Sequence, residues 1–317
     1  MMKSTHLAVT VIAKQSNGAG NLLLTLESAN DQPLPPFTPG AHIDVHLPAG
    51  GVRQYSLCSP ASAASYEICV RLDPASTGGS SWLHQQLNVG DALTLSAPRN
   101  HFSLPDAPRT LLFAAGIGLT PLLVMAEALA GRQAEFILHI YLKHHDELAL
   151  ATRLAQLGER VVIHYSSEGD SLRTRIPDDL ETSASSALVA CGSAGFMHHL
   201  QQQALERGWQ PGQWHSERFN PAASLITAGD SFDVEIASSG ARYTVGQAQS
   251  IAGVLEAAGI DIELSCEQGM CGACITGVLS GEPDHRDEVL SPKERAANDC
   301  IVLCCSRARS PLLVLDL

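Results

Sequence analysis

The stretch CEQGMCGAC, residues 266–274, places Cys266, Cys271 and Cys274 in the spacing C-x4-C-x2-C. That spacing, completed by a fourth cysteine farther along the chain, is the plant-type pattern for a [2Fe–2S] cluster held by four thiolates. Gly269 and Gly272 leave room for backbone N–H groups to approach the sulfur atoms. The pattern therefore predicts a small domain that presents this loop and supplies one more cysteine from a distant segment.

The other cysteines and the start of the chain bear on the type of site. The chain has 9 cysteines, and its first residues, MMKSTHLAVTVIAKQ, do not form a secretory signal peptide. Metal ligation is therefore favoured over disulfides, and a cytoplasmic location is expected. A zinc site is the alternative, but the spacing lacks paired zinc knuckles and no histidine stands at ligand spacing nearby.

Three cysteines downstream of the loop compete for the role of fourth ligand, namely Cys300, Cys304 and Cys305. If CIVLCCSRA is an extended segment, neighbouring side chains point to opposite faces, so Cys304 and Cys305 cannot easily serve the same iron. Cys300 and Cys304 share a face of such a segment. Strand geometry alone leaves both of them open.

Three segments of the chain differ in their hydrophobic pattern. Residues 1–106 contain short β-rich runs such as AHIDVHL and VRQYSLC, which predict an antiparallel β-barrel or sandwich. Residues 107–222 alternate apolar strands such as TLLFAAG and FILHIYL with helical stretches, which predicts a doubly wound α/β domain. Residues 223–317 combine alternating strands with one helical stretch, 249–260, and predict a small α+β domain.

Further motifs accompany the cysteine loop, and together they resemble the phthalate dioxygenase reductase family, which includes the reductases of vanillate demethylase and carnitine monooxygenase. The motifs are RQYSL, TGGSSWLHQQL, AAGIGLTP, ACGSAGFM and the ending that begins CCSRA. The resemblance covers the whole chain. It implies an FMN-binding β-barrel, an NAD-binding α/β domain and a β-grasp-like ferredoxin domain, with Cys304 as the fourth cluster ligand.

On the flavin side, the resemblance implies that Arg53 neutralises the FMN phosphate, Tyr55 lies against the flavin ring and Ser56 acts near the flavin N5. An Arg and a Ser hydroxyl suit these tasks chemically. A glycine-rich turn that opens a helix can also receive a phosphate through its N–H groups. The remaining implied FMN contacts are Arg71, Gly78, Gly79, Ser80 and the aromatic Phe219, with Glu217 as a neighbour.

On the nicotinamide side, the resemblance implies that the AAGIGLTP turn lets the pyrophosphate approach the backbone. Cys191 is expected to sit beside the nicotinamide C4, although Ser193 stands where the family usually has proline. The implied nucleotide contacts are Gly116, Gly118, Thr120, Pro121, Cys191 and Gly192. Glu168 and Asp170 are expected to repel a 2′-phosphate and favour NADH over NADPH, although Arg173 and Arg175 follow closely.

These expectations combine into a reductase that passes electrons from NADH through FMN and a [2Fe–2S] cluster to a Rieske-type terminal oxygenase. A free flavin or iron reductase, or a passive ferredoxin-like carrier, is the alternative. The net charge of −13 argues against a nucleic-acid partner. No apolar run approaches the roughly 18 residues of a membrane span.

The acidic residues of the chain are concentrated in its last part. Residues 223–317 hold 14 Asp and Glu against 6 Lys and Arg, a balance of −8, so the ferredoxin domain is expected to meet a basic surface of the oxygenase. We expect the second-order rate of reduction of the oxygenase to fall with added salt, because ions screen such attraction over about 8 Å at physiological ionic strength. Stopped-flow measurements at several salt concentrations test this, and a salt-independent rate would contradict it.

Overall fold

The computed structural model describes residues 6–30, 32–48, 50–73, 78–182, 185–217, 229–264, 269, 272–287 and 289–317. The chain divides into two compact units, Met1–Asn220 and Pro221–Leu317. The first unit contains an antiparallel sheet and a parallel sheet, and the second contains a mixed sheet. Within the described residues, no helix has the length and apolar character needed to cross a membrane.

The antiparallel sheet has six strands in the order β4-β3-β6-β1-β2-β5. A bridge between Leu57, just after β4, and Ile68 of β5 joins the two outer strands and closes the sheet into a barrel. Inward-facing residues such as Val9, Leu24 and Ile43 are fully buried, as the alternating pattern predicts. The elements are β1 Leu7–Ser16, β2 Asn21–Ser28, β3 His42–His46, β4 Val52–Ser56, β5 Tyr66–Arg71, α1 Gly79–Gln85 and β6 Ala92–Leu95.

The parallel sheet has five strands in the order β11-β10-β7-β8-β9, the doubly wound arrangement that the sequence predicts. One apolar cluster includes α2 and α3 residues such as Leu122 and Leu154. A second cluster contains Phe113, Leu188 and Met197 of α4. The elements are β7 Arg109–Ala115, α2 Leu119–Gly131, β8 Glu135–Leu142, α3 Ala151–Leu157, β9 Val161–Tyr165, β10 Ser186–Cys191, α4 Ala194–Glu206 and β11 Trp214–Glu217.

The second unit is a mixed sheet in the order β13-β12-β18-β14-β16, with β12 and β18 parallel. Its core contains Val234, Leu255 and Leu313. The elements are β12 Phe232–Ile236, β13 Arg242–Val245, α5 Ile251–Ala257, β14 Ile275–Ser280, β15 Pro283–Asp284, α6 Pro292–Ala297, β16 Cys300–Val302, β17 Arg307–Ala308 and β18 Leu312–Leu315.

Helix α6 corrects the expectation of a single helical stretch in this part of the chain. Ser291 caps it by accepting a hydrogen bond from Glu294 N, the Glu294 side chain returns to Ser291 N, and Pro292 occupies the first turn. This is a capping box with an N-terminal proline. The six-residue helix has no buried residues, so hydrophobic periodicity alone could not indicate it.

Arg153 of α3 joins the α/β layer to the barrel. Its Nε lies 2.7 Å and its Nη2 2.5 Å from the two carboxylate oxygens of Glu127. Its Nη1 donates to the carbonyl of Cys58 in the barrel and lies 3.5 Å from Glu67. The Arg153 side chain is 17% exposed. Because this bidentate pair is largely out of water, it fixes the two layers in one relative position.

We therefore expect Arg153→Met to lower the melting temperature of the full-length protein by about 5–10 °C, because it leaves Glu127 half-buried without its cation. Thermal unfolding followed by circular dichroism measures this. Arg160→Met is the matched control, since that guanidinium lies 5.3 Å from the Phe136 ring centre and makes a single ring contact. Equal losses in the two variants would contradict the role given to Arg153.

Candidate redox site

The RQYSL segment forms β4, whose Ser56 lies opposite His42 of β3. Ser56 is 5% exposed, and its Oγ has no hydrogen-bond partner among the residues that the structure describes. A buried hydroxyl without a partner is unfavourable, so a polar ligand atom is a suitable partner for it. Burial raises the pKa of Tyr55 to about 12, so its phenol is neutral and can donate a hydrogen bond.

The residues implied to bind the flavin phosphate lie next to each other. A Cβ placed on Gly79 would lie 2.6 Å from Cγ and Nε of Arg53, so glycine gives the Arg53 side chain room to cross the start of α1 in this conformation. Gly78 precedes the helix with φ of 112°, a conformation that side chains rarely adopt. The Ser80 hydroxyl accepts a hydrogen bond of 3.1 Å from Asp73 N. Arg53 and the turn at residues 78–80 therefore form one polar surface at the start of α1.

The AAGIGLTP turn follows β7 and leads directly into α2. Gly116 has φ of 57°, and a Cβ there would lie 3.0 Å from Nη1 of Arg71 in the barrel. A Cβ on Gly118 would collide with the carbonyl of Cys191. The Thr120 hydroxyl donates to the Ile117 carbonyl at 3.0 Å. The glycines thus permit two close approaches, one to the barrel and one to the end of β10.

These two sides enclose one cleft of about 640 Å³ within the first unit. Nine of the residues singled out from the sequence line it, namely Arg53, Tyr55, Ser56, Arg71, Ser80, Gly116, Gly118, Thr120 and Gly192. Gly78, Gly79, Pro121 and Cys191 lie beside the lining, and Phe219 falls outside the described residues. Tyr141, Lys143 and Glu147 also line the cleft, and the sequence motifs did not indicate them.

Cys191 and Glu217 are opposite each other on β10 and β11, next to the cleft. Burial, and then the Glu217 carboxyl, raises the pKa of Cys191 well above its usual range, so the thiol is protonated. Burial also raises the pKa of Glu217 to about 8. Its Oε1 lies 3.9 Å from Nδ1 of His42, whose own pKa is lowered to about 4, mainly by burial. All three groups are therefore uncharged at neutral pH.

In the second unit, Cys274 and Cys304 are 3% and 5% exposed, and their side chains are in hydrogen-bond contact. Gly269 N donates to Cys304 Sγ at 3.2 Å, an N–H···S contact of the kind that iron–sulfur sites use. Two buried thiols together, one with an N–H donor, suit two ligands of a cluster. Cys266 and Cys271 lie outside the described residues.

The segment around the fourth ligand corrects the extended geometry assumed above. Strand β16 ends at Val302, and residues 303–305 form a turn in which Ser306 N donates to the Val302 carbonyl at 3.0 Å. Alternation of faces therefore does not apply to Cys304 and Cys305. Cys300 pairs with Gly277 across β14 and β16 and is partly exposed. Cys304 contacts Cys274 because the turn directs it there.

In the loop expected to face the nucleotide ribose, the two acidic side chains have different surroundings. Glu168 is exposed and lies 2.5 Å from Nε2 of His145. Asp170 instead turns toward β9, where its Oδ2 lies 2.9 Å from Nδ1 of His164. Exclusion of a 2′-phosphate stays a prediction for both, and Glu168 is the more accessible of the two.

Comparison with known proteins assigns the second unit. Residues 234–309 match a family model described as a 2Fe-2S iron-sulfur cluster binding domain. Vanillate O-demethylase oxidoreductase of Pseudomonas putida is 44% identical over 313 residues, covering 97% of this chain and 99% of that protein. The carnitine monooxygenase reductase subunit of Escherichia coli strain K12 is 37% identical, covering 92% of each chain.

Solved structures agree along the length of the chain. Phthalate dioxygenase reductase superposes with a TM-score of 0.70 at 32% identity, covering 98% of both chains. An intact type IV self-sufficient cytochrome P450 monooxygenase gives a TM-score of 0.90 at 35% identity, and this chain spans 41% of its length. The fold and the cleft, with the matched cluster domain, define a flavin- and nicotinamide-dependent iron–sulfur oxidoreductase. The chain belongs to the phthalate dioxygenase reductase family.

The geometry of the cysteines generates a prediction about ligation. We expect Cys304→Ser to lose or gravely perturb the [2Fe–2S] signal in electron paramagnetic resonance, because the Cys304 side chain is in hydrogen-bond contact with Cys274. Reduction of ferricyanide by NADH should survive in this variant, since the cleft lies in the other unit. Cys300→Ser and Cys305→Ser are the matched controls and should keep the cluster. A normal signal in Cys304→Ser with none in either control would overturn the assignment.

Proposed function

We propose that this protein is the reductase component of a Rieske-type oxygenase system, which takes electrons from NADH and delivers them to the terminal oxygenase. The observation that carries the proposal is the shared cleft, in which the implied flavin residues face the implied nucleotide residues. The cofactors supply the redox chemistry, in which electrons that arrive as a pair from the nicotinamide leave singly through the cluster. The related proteins named above are themselves reductases of demethylase, monooxygenase and dioxygenase systems.

In this proposal Arg53, Gly79 and Ser80 hold the phosphate of FMN. Their adjacency supports the assignment, since one guanidinium and a glycine-led turn can share a phosphate. Tyr55 would lie against the flavin ring, Arg71 would lie near it, and the buried Ser56 hydroxyl would act near the flavin N5.

The residues of the opposite wall bind NADH in this proposal. Gly116 and Gly118 let its pyrophosphate approach the backbone, and Thr120 and Pro121 begin the helix behind it. Cys191 and Gly192 border the position of the nicotinamide ring, and the protonated state of Cys191 keeps negative charge away from that ring. Phe219 would complete the flavin face, while Cys266, Cys271, Cys274 and Cys304 would hold the cluster.

We also propose domain limits at 1–106, 107–222 and 223–317, with the oxygenase docking near the acidic last domain. The antiparallel sheet ends at Leu95 and the parallel sheet begins at Arg109, which supports the first limit. The change of compact unit falls between residues 220 and 221, close to the second. The cytoplasmic location expected from the sequence stays a prediction.

Purified protein is expected to contain about one FMN and two irons per chain. It should oxidise NADH faster than NADPH, and it should support substrate oxidation when a Rieske oxygenase is added. Chromatography of the released flavin, iron analysis and reconstitution with a panel of oxygenases measure these. Turnover of free flavin or iron that no oxygenase accelerates would favour a free reductase. Extraction of FAD, or equal efficiency with the two nucleotides, would contradict the cofactor assignments.

A further inference from the structure

Two histidines of neighbouring parallel strands form a buried pair beside the nucleotide side of the cleft. His139 of β8 and His164 of β9 are 3% and 7% exposed. Their Nδ1 and Nε2 atoms lie 3.0 Å apart. The other nitrogen of each ring faces a carboxylate, with His139 Nε2 3.1 Å from Asp179 and His164 Nδ1 2.9 Å from Asp170. Three hydrogen bonds thus run in a line from Asp179 to Asp170.

The number of protons in this line follows from elementary chemistry. A neutral imidazole has one N–H and a carboxylate has none, so two neutral rings supply two donors for three contacts. Two doubly protonated rings would bring two N–H groups together between His139 and His164. All three contacts are satisfied only when the line holds three protons, one more than two neutral rings carry.

The surroundings place this extra proton on the His139 ring rather than on Asp179 or His164. Burial raises the pKa of Asp179, but the hydrogen bond from His139 outweighs it and the pKa is lowered, so this carboxyl stays ionised beside His139 Nε2. Burial lowers the pKa of His164 despite the hydrogen bond to Asp170, so the extra proton is not held on that ring. Phe113 stacks on His139 at 4.8 Å and Tyr141 on His164 at 4.3 Å. Aromatic faces attract a cation placed over them.

The carboxylates belong to residues 166–180, here called the covering segment, which lies against one face of the parallel sheet. Leu172 and Leu180 of this segment are buried in the same cluster as Phe113 and Tyr141. Asp170 anchors its beginning to His164, and Asp179 anchors its end to His139. The two histidines therefore hold both ends of the covering segment through a single line of hydrogen bonds.

The covering segment is connected to the cleft. Ser167 N donates to the Lys143 carbonyl at 3.1 Å, and both Lys143 and Tyr141 line the cleft. The segment begins at the carboxyl end of β9, where open α/β sheets bind nucleotides. A shift of either anchor would therefore move the turn at 166–170 and the support beneath Tyr141.

We propose that the buried pair His139–His164 holds one extra proton and thereby positions the covering segment for nucleotide binding. The inference rests on the proposed function, since it assigns these residues to the NADH side of the cleft. Both histidines are positioning residues. After loss of the proton each neutral ring can still donate to its own carboxylate, but His139 Nδ1 and His164 Nε2 then present two lone pairs to each other at 3.0 Å. The rings are therefore forced apart, the two anchored ends of the covering segment move with them, and nucleotide affinity falls.

Nucleotide affinity is expected to fall as pH rises. The extra proton is bound in the conformation that binds nucleotide, so affinity is highest at the acidic end of the range and declines as pH rises. Charged and titratable groups act on the pair from each side. They are Asp170, Asp179 and Arg175 of the covering segment, Arg109 of β7, which acts on Asp179, and the Tyr141 hydroxyl, whose pKa burial raises so that it stays neutral.

Proton counting by nuclear magnetic resonance tests the pair itself. Full-length protein labelled with ¹⁵N-histidine would be titrated between about pH 5.5 and 8.5, the range in which histidine responds. His139→Gln and His164→Gln assign the four ring nitrogens. We expect three of the four to carry a proton at the acidic end, with one proton lost as pH rises. Two protonated nitrogens at every pH would overturn the proposal, and this wild-type measurement does not depend on the folding of any variant.

Calorimetric binding of NAD⁺ over the same pH range tests the link to the cleft. We expect the wild-type Kd to rise on the order of tenfold across the titration, the change that a one-unit difference in proton affinity produces. Asp170→Asn keeps an acceptor but removes the charge, so it should move the transition to lower pH. A merely structural contact would not shift a pH profile in this way.

Two histidines serve as controls. His198→Gln changes an exposed residue of α4, and His145→Gln removes the ring that pairs with Glu168. Both should keep the wild-type pH profile. A profile that is lost in His145→Gln, or unchanged in Asp170→Asn, would overturn the proposal. Binding of NAD⁺ with the same Kd at every pH overturns this inference alone, whereas no binding at any pH also contradicts the proposed function.

Discussion

The redox cleft depends on a fixed relation between two sheets that fold from consecutive parts of the chain. Arg153 supplies much of that relation, because its guanidinium reaches the barrel at Cys58 and Glu67 while Glu127 holds it within the α/β layer. A second seam lies at the β1–β2 turn, where Ala19 N donates to the Asp146 carbonyl at 2.6 Å and Asn17 accepts from Leu150 N at 2.5 Å. With both seams in place, β4 faces the turn after β7. The cleft exists only where the two sheets face each other, so neither sheet would form it alone.

Much of this arrangement could be predicted from the sequence, because it is encoded by short motifs whose glycines meet a steric requirement. Gly79 and Gly118 stand where a Cβ would strike Arg53 or the Cys191 carbonyl, so their motifs report close approaches that the fold must contain. The strands could also be predicted, since buried parallel strands such as β7 and β10 are apolar from Leu111 and Ala187 onward. Nine of the predicted cofactor-binding residues consequently meet in one cleft.

The remainder depended on contacts that no local pattern expresses. The turn at 303–305 follows a strand only three residues long, and an apolar run of that length does not reveal where it ends. His139 and His164 each lie inside an apolar strand, and their pairing is set by the register of β8 and β9. Asp170 Oδ2 lies 2.9 Å from His164 Nδ1, because a buried imidazole nitrogen needs a hydrogen-bond partner, and no local pattern of the sequence indicated this contact.

Burial explains how acidic groups can lie beside the proposed hydride-transfer site without adding charge to it. At neutral pH the raised pKa values of Cys191, Tyr55 and Glu217 and the lowered value of His42 all favour the uncharged form. Arg53 and Arg71 line the cleft from the barrel, and Lys143 lines it from the parallel-sheet side; such cations suit the phosphates of the proposed ligands. An uncharged centre with cations at its edge suits the two anionic cofactors that we propose for this cleft, and it would leave their reacting rings in surroundings of low polarity. Most of the net negative charge of the chain lies instead in residues 223–317, −8 of −13, from where it would act at a distance on the proposed oxygenase partner.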